Sequence, residues 1–122
     1  MRGLGDLESA IMDRLWAWRR AATAREIMES LYEERPLAYT TVQKVMDNLF
    51  RKGWLTRTQH GRAHLYEATA SREVAAANLM REALTDTPDH RAVFAHFLAG
   101  MDDEEAKALR AALRQHGRRE PQ

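Results

Sequence analysis

Tyr39-Thr40-Thr41-Val42-Gln43-Lys44-Val45-Met46-Asp47-Asn48-Leu49-Phe50-Arg51-Lys52-Gly53 reads as one amphipathic helix and its stop. Val42, Val45, Met46 and Leu49 recur at i, i+3, i+4 and i+7, which lays them along one face. At about 100° per residue, Thr40, Gln43, Lys44, Asp47 and Arg51 point away from that stripe. Gly53 is the residue a helix C-terminus favours. The predicted helix runs from about Tyr39 to Lys52, with an apolar face to dock and a polar face to present.

Two more helices are predicted upstream. Asp6 is a candidate N-cap for a helix to Trp18, with Leu7, Ile11, Leu15 and Trp18 at helical spacing and Met12 and Trp16 beside them. Arg19-Arg20-Ala21-Ala22 breaks that pattern. Thr23-Ala24-Arg25-Glu26 fits a capping box, in which a Thr hydroxyl and a Glu carboxylate each take a free backbone N–H. Ile27, Met28 and Leu31 follow at core spacing, and this helix is predicted to end near Glu34, because Pro36 disfavours a helical Arg35. Downstream, Trp54–Thr58 and Ala63–Glu67 are short β-favouring runs joined by His60-Gly61-Arg62, which reads as a hairpin with a basic tip.

From Ser71 onward the chain reads as helical. Ser71 can cap a helix to about Leu84 whose Val74, Ala76, Ala77, Met80, Ala83 and Leu84 cover more than one narrow stripe. After a break at Thr85–Pro88, Asp89 can cap a helix bearing Val93, Phe94, Phe97 and Leu98, which Gly100 ends. Asp102 opens a last helix with Ala106, Leu109 and Leu113 inward, stopping at His116-Gly117. Residues 118–122 are predicted to be a disordered tail.

The chain has 122 residues and no cysteine, which excludes a disulfide framework, a thiolate zinc site and a cysteine nucleophile. Its start has no apolar stretch like a signal peptide, and no run of apolar residues is long enough to span a bilayer. The expectation is a cytoplasmic protein without membrane insertion. The net charge of +1 says little about partners, but its distribution says more. Between residues 35 and 66, Arg35, Lys44, Arg51, Lys52, Arg57 and Arg62 face the single acid Asp47, and His60 and His64 lie in the same window. Such a local basic stretch suits a phosphate-binding face, although a merely solvated surface would also be basic.

Three helices and a hairpin within the first 70 residues follow the order of a winged helix-turn-helix. The expected fold is mainly α with a small β-hairpin. Residues 1–70 form a winged-helix DNA-binding domain and 71–117 a three-helix dimerisation region. The third helix would enter a major groove: Gln43 can pair with adenine, Lys44 can reach guanine or phosphate, and the methyls of Thr40 and Thr41 can touch thymine. Thr40, Thr41, Gln43, Lys44, Asp47, Asn48, Arg51, Arg57 and Arg62 are the candidate DNA-binding residues. Arg51 and Lys52 suit phosphate better than bases, and the wing tip can lie along the backbone or the minor groove. Any one of these side chains alone is an ordinary exposed polar residue. The polar helix face, the basic hairpin and the lack of acids between Asp47 and Glu67 point to DNA together.

Three short helices bury little surface alone, yet Phe94 and Phe97 need cover. Either the helices fold back on the winged helix or a second copy covers them, and two-fold dimers are the commonest oligomers. Val74, Ala77, Met80, Leu84, Phe94, Phe97, Leu98, Leu109 and Leu113 are the candidate dimer interface. A dimer of winged helices predicts a pseudo-palindromic operator. The chain carries no Gly-rich phosphate loop, no Gly-x-Ser-x-Gly and no His-Glu-x-x-His, so no enzyme, cofactor or metal is expected. Asp102–Glu105 reads as negative charge at a helix start rather than catalysis. His60 and His64 could approach each other across a turn, but a basic wing uses histidines more readily as phosphate contacts. A protein-interaction module is the alternative from another class, because the same helix can dock a protein.

The chain also resembles a known family. Leu4-Gly5-Asp6-Leu7-Glu8 leading to Ile11-Met12-Asp13-Arg14-Leu15-Trp16 is similar to the opening of the penicillinase repressor (BlaI/MecI) family. So are Leu37-Ala38-Tyr39-Thr40-Thr41-Val42-Gln43-Lys44-Val45-Met46-Asp47-Asn48-Leu49, Lys52-Gly53-Trp54-Leu55 and the wing strand Arg62-Ala63-His64-Leu65-Tyr66. Val93-Phe94-Ala95-His96-Phe97-Leu98, Asp103-Glu104-Glu105 and Leu109-Arg110 match the family's last two helices. The resemblance implies a winged-helix repressor, dimeric through its C-terminal helices, binding dyad operators. It also implies a link to antibiotic resistance: in the best-known members a membrane-bound sensor metalloprotease detects β-lactam and the repressor is then cut in its dimerisation region. That cut falls between Asn and Phe, and the matching pair here is His96-Phe97, the implied cleavage position. A copper-responsive branch senses metal through Cys-x-Cys pairs, which this chain lacks. Ala38-Tyr39-Thr40-Thr41 replaces the Ser-Pro-Lys-Thr that opens the recognition helix elsewhere, which implies a different base preference.

Overall fold

The computed structural model describes Met1 and residues 3–118, so most of the tail expected at 118–122 lies outside the described residues. The chain divides into two units, Met1–Leu79 and Met80–Gln122. The first holds α1 (Asp6–Trp18), α2 (Ala24–Leu31), α3 (Tyr39–Arg51), β1 (Leu55–His60) and β2 (Ala63–Ala68). It also holds the first half of α4 (Arg72–Thr85), whose remainder joins α5 (His90–Ala99) and α6 (Asp103–Gly117) in the second unit.

The first unit is built around one apolar cluster. Ile11, Met12 and Leu15 of α1, Ala24, Ile27 and Leu31 of α2, and Val42, Met46 and Leu49 of α3 are all buried, joined by Leu55 and Tyr66 of the hairpin. The stripe read from α3 is the one that docks, with Val45 at its half-buried margin. Burial of each Ile, Leu, Val or Met side chain among them contributes about 1.5–3 kcal/mol.

The helix ends have local causes. The cap of α1 is Gly5 and not the expected Asp6. The Glu8 carboxylate reaches back to accept from the Gly5 N–H at 2.8 Å, which puts Asp6 one residue inside the helix, where it pairs with Arg35 at 3.3 Å. At the other end Arg19 takes a left-handed conformation (φ 58°), and its N–H donates to the Leu15 carbonyl at 3.0 Å. The capping box of α2 forms as expected: Thr23 Oγ1 accepts from the Glu26 N–H at 3.2 Å and Glu26 Oε1 from the Thr23 N–H at 2.9 Å. Helix α2 stops at Leu31 rather than near Glu34. Its last turn tightens, with Tyr32 N–H donating to Glu29 and Glu34 N–H to Leu31, ahead of Pro36.

The hairpin is longer than the expected runs. Its strands pair from Leu55↔Ala68 to His60↔Ala63, leaving Gly61-Arg62 as a two-residue turn. Gly61 has φ +63°, the first central position of a type II′ turn, where a side chain would be strained. On its other side β2 pairs with Ala22, through Ala22 N–H to Tyr66 O at 2.9 Å and Tyr66 N–H to Ala22 O at 2.8 Å. The segment read only as a break after α1 therefore contributes an isolated β-bridge at Ala22, outside the two-stranded hairpin. Beyond β2, Trp16 Nε1 donates to Ala70 O at 3.0 Å, and Arg72 lies over the Trp16 ring while pairing with Asp13. These contacts hold the start of α4 to α1.

Helix α4 begins at the Ser71 cap, whose Oγ accepts from the Val74 N–H at 3.1 Å. In the second unit Asp89 caps α5 by accepting from the Ala92 N–H, and Asp102 with Glu105 forms a capping box on α6. The capping predictions hold here, but neither α5 nor α6 has a buried residue. Phe94, Phe97 and Leu98 are each about half exposed and Leu113 is 60% exposed. No helix among the described residues is long and apolar enough to cross a membrane.

Candidate nucleic-acid interface

The outward face of α3 begins at Ala38, which has no side-chain oxygen to cap the helix. Thr40, Thr41 and Lys44 are exposed and Gln43 is half-buried. Among the described residues none of these four side chains makes a hydrogen bond or ion pair. Thr40, Thr41 and Lys44 are thus open to solvent and Gln43 is partly so, which leaves them available for base readout. Arg62, at the tip of the wing, is likewise exposed and without a bonded partner among the described residues.

Other candidates are engaged within the protein. Asp47 Oδ1 accepts from Arg57 Nη1 at 3.1 Å and from the Tyr66 hydroxyl at 2.5 Å. The Arg57 guanidinium also lies over the Phe50 ring, 4.2 Å from its centroid. Asp47 and Arg57 are thus turned toward each other, between helix and wing. Burial first, and then the Asp47 carboxylate, pushes the Tyr66 hydroxyl well above the ordinary phenol range, so it stays a donor at any physiological pH. Asn48 Oδ1 accepts from Arg51 Nη2, one turn along the exposed side of α3. Lys52 is drawn to the start of α1, where Nζ meets both Glu8 oxygens at 2.8 and 3.0 Å. Burial works to raise the Glu8 pKa, but the bonds from Lys52 and Gly5 outweigh it and hold the carboxyl below its ordinary range.

The fold gathers Thr40, Thr41, Gln43 and Lys44 on one free surface and commits Asp47 and Arg57 to the joint behind it. The wing's outer end adds His60, Arg62 and His64, the last with its ring edge-on to Tyr66 at 6.1 Å. Among the described residues no cluster of His, Cys, Asp or Glu could hold a metal ion.

Sequence reading missed Arg25. It is exposed in the first turn of α2, with its guanidinium 5.8 Å from the Tyr39 ring centroid at the start of α3. The available signal was its place just after the Thr23 cap, because the first helix of a helix-turn-helix crosses the DNA backbone.

A sequence model of the penicillinase repressor family matches residues 4–115. The Transcriptional regulator BlaI of Mycobacterium tuberculosis (strain ATCC 25618 / H37Rv) is 39% identical over 97% of this chain and 91% of its own length. Among solved structures, the DNA binding domain of the repressor BlaI superposes with a TM-score of 0.51 at 21% identity, covering 57% of this chain and 84% of that one. RosR of H. salinarum superposes with a TM-score of 0.54 at 19% identity, over 88% of this chain and 97% of that one. At these identities the two structural likenesses speak for the fold alone.

Proposed function

This chain belongs to the penicillinase repressor family and is a BlaI-like transcriptional repressor with a DNA-binding winged-helix fold, not an enzyme; from that premise we propose that it binds a pseudo-palindromic operator as a homodimer. In this reading residues 1–70 bind DNA and 71–117 dimerise. Thr40, Thr41, Gln43 and Lys44 read bases in the major groove, and Arg51 and Arg62 contact phosphate on either side. The observation that carries the reading is the free polar face of α3 beside a wing tipped by Arg62, with the neighbouring carboxylate of Asp47 already neutralised by Arg57. The half-exposed aromatic side chains of α5 support the dimer, because soluble monomers rarely leave such clusters in water.

We further propose that repression is relieved by proteolysis in the dimerisation region, by a membrane sensor protease answering a β-lactam or another cell-envelope signal. The family supports this reading, as does the exposure of His96 and Phe97 on a helix with no buried residue to hold it shut.

Fluorescence anisotropy tests the DNA reading, with a duplex from upstream of the protein's own gene, a duplex selected from a random pool and a scrambled control. Tight binding to either of the first two, falling steeply with salt as counterions are released, is the expected outcome. Equal, weak binding to all three would remove the operator reading and favour a protein partner for α3.

A further inference from the structure

Asp47, Arg57 and Tyr66 lie where α3 meets the wing. Arg57 and Tyr66 are cross-strand partners on one rung of the hairpin. A single oxygen, Asp47 Oδ1, accepts from both. One carboxylate on α3 therefore grips both strands of the wing at the same level. Tyr66 also bonds Ala22 through its backbone N–H and carbonyl, and Arg57 stacks on Phe50, one turn beyond Asp47 on α3. The rung is fixed to the helix at residues 47 and 50 and to the chain before α2 at residue 22.

Beyond this rung the hairpin continues through Thr58↔Leu65, Gln59↔His64 and His60↔Ala63 to Arg62, with no further bond to a helix among the described residues. At about 3.3 Å per residue the tip stands roughly 10 Å past the rung, so a tilt of about 10° there moves the tip by about 2 Å. That displacement is enough to break a hydrogen bond to phosphate.

We infer that Asp47 is a positioning residue, which sets the pitch of the wing against α3 so that Arg62 meets the DNA backbone while Gln43 and Lys44 lie in the groove. The inference rests on the DNA-binding reading above and gives Asp47 a role other than base contact. Its second oxygen, Oδ2, accepts no hydrogen bond among the described residues, so direct readout of a base is the competing role.

The test compares wild type, Tyr66→Phe, Asp47→Ala and Asp47→Asn, each alone and combined with Arg62→Ala. Affinity is read on a duplex that the wild-type protein selects from a random pool, and amide hydrogen exchange is read over residues 58–65. Tyr66→Phe and Asp47→Ala should each weaken binding about tenfold, the order expected for one charge-assisted hydrogen bond. Asp47→Asn should recover part of the loss, because its amide oxygen still accepts from the Tyr66 hydroxyl. In wild type, Arg62→Ala should weaken binding and lower the salt slope by about one. In the Asp47→Ala background it should do neither, since the tip is already off the backbone; a general loss of stability would not cancel Arg62 in this way. Wing amides should exchange faster in Tyr66→Phe and Asp47→Ala, while those of α1 and α2 keep their protection.

A full Arg62 effect in the Asp47→Ala background would overturn the inference, as would unchanged wing exchange. So would Tyr66→Phe binding like wild type while Asp47→Ala relaxes preference at a single base pair, which would make Asp47 a reader. A wild-type protein that selects no duplex would overturn the DNA reading and this inference with it, and the exchange data would still report separately whether Asp47 holds the Arg57–Tyr66 rung.

Discussion

Residues on the proposed DNA face differ in what they can lose. Gln43 presents an amide that can bond a base edge in two places, whereas Arg25, stacked by Tyr39, presents charge beside the start of α3. Gln43→Ala should relax preference at one base pair, with a cost of about 1–3 kcal/mol at that position, and leave the salt dependence unchanged. Arg25→Ala should weaken binding to every sequence alike and reduce the salt slope by about one. A binding-site selection read at two or more salt concentrations separates the two. A uniform loss for Gln43→Ala would place it against the backbone. The outward direction of Gln43 was legible because helical period alone fixes it. The commitments of Asp47 and Arg57 were not, because period says which side chains leave the core and nothing about which neighbour they then meet. That depends on where the wing folds back, and the two-residue turn that sets its register became visible only once His60 proved to be the last residue of β1.

At the scale of elements, the capping signals were the most legible part of the chain. Thr23 with Glu26, Asp89 and Asp102 all cap as read, and Glu105 completes a box with Asp102, because the interaction is confined to four consecutive residues. The start of α1 was misplaced by one residue for an instructive reason. Asp6 and Gly5 are both acceptable caps, and the choice falls to Glu8, which bonds the Gly5 N–H and also Lys52 at the end of α3. Glu8 thus joins the start of one helix to the end of another, a long-range fact that no local pattern carries. It makes a pH prediction. The Glu8 pKa is lower in the folded protein than its ordinary value of 4.5. The unfolded chain therefore takes up the proton first as pH falls. The stabilisation is fully present above about pH 4.5 and is lost as pH drops through the lower folded value. Lys52→Met should lower stability at neutral pH by up to about 1 kcal/mol, the range for a partly exposed pair. The difference from wild type should shrink below pH 4.5, as measured by urea denaturation across pH. A difference that stays constant into acid would mean the pair contributes through the packing of the lysine stem rather than through charge.

At the scale of the whole molecule, the two units differ in what they bury. The winged helix closes its own core, whereas α5 and α6 bury no residue and leave Phe94, Phe97 and Leu98 about half exposed. An amphipathic helix pattern shows that a face wants cover but not whose, so the sequence left open both a fold-back and a second copy. The proposed dimer makes Phe97 an anchor, since its ring carries a large apolar area for a single side chain. Removing it takes away contact on both sides of a two-fold interface, because each copy presents the same residue. Phe97→Ala should shift sedimentation equilibrium toward monomer at concentrations where wild type is dimeric, and Leu113→Ala should do so more weakly. Operator affinity should fall with it, even though no DNA-contacting residue has changed. Each winged helix would then bind its half-site without a tethered twin, and the gain from effective concentration, often a hundredfold or more, would be lost. Binding to an isolated half-site should be the same for Phe97→Ala and wild type, which tells loss of pairing from damage to the winged helix. If Phe97→Ala remained fully dimeric, the interface would have to be drawn elsewhere on these helices. If it became monomeric with full operator affinity, the two half-sites would be bound independently, and a cut at His96-Phe97 would have no means of releasing the DNA.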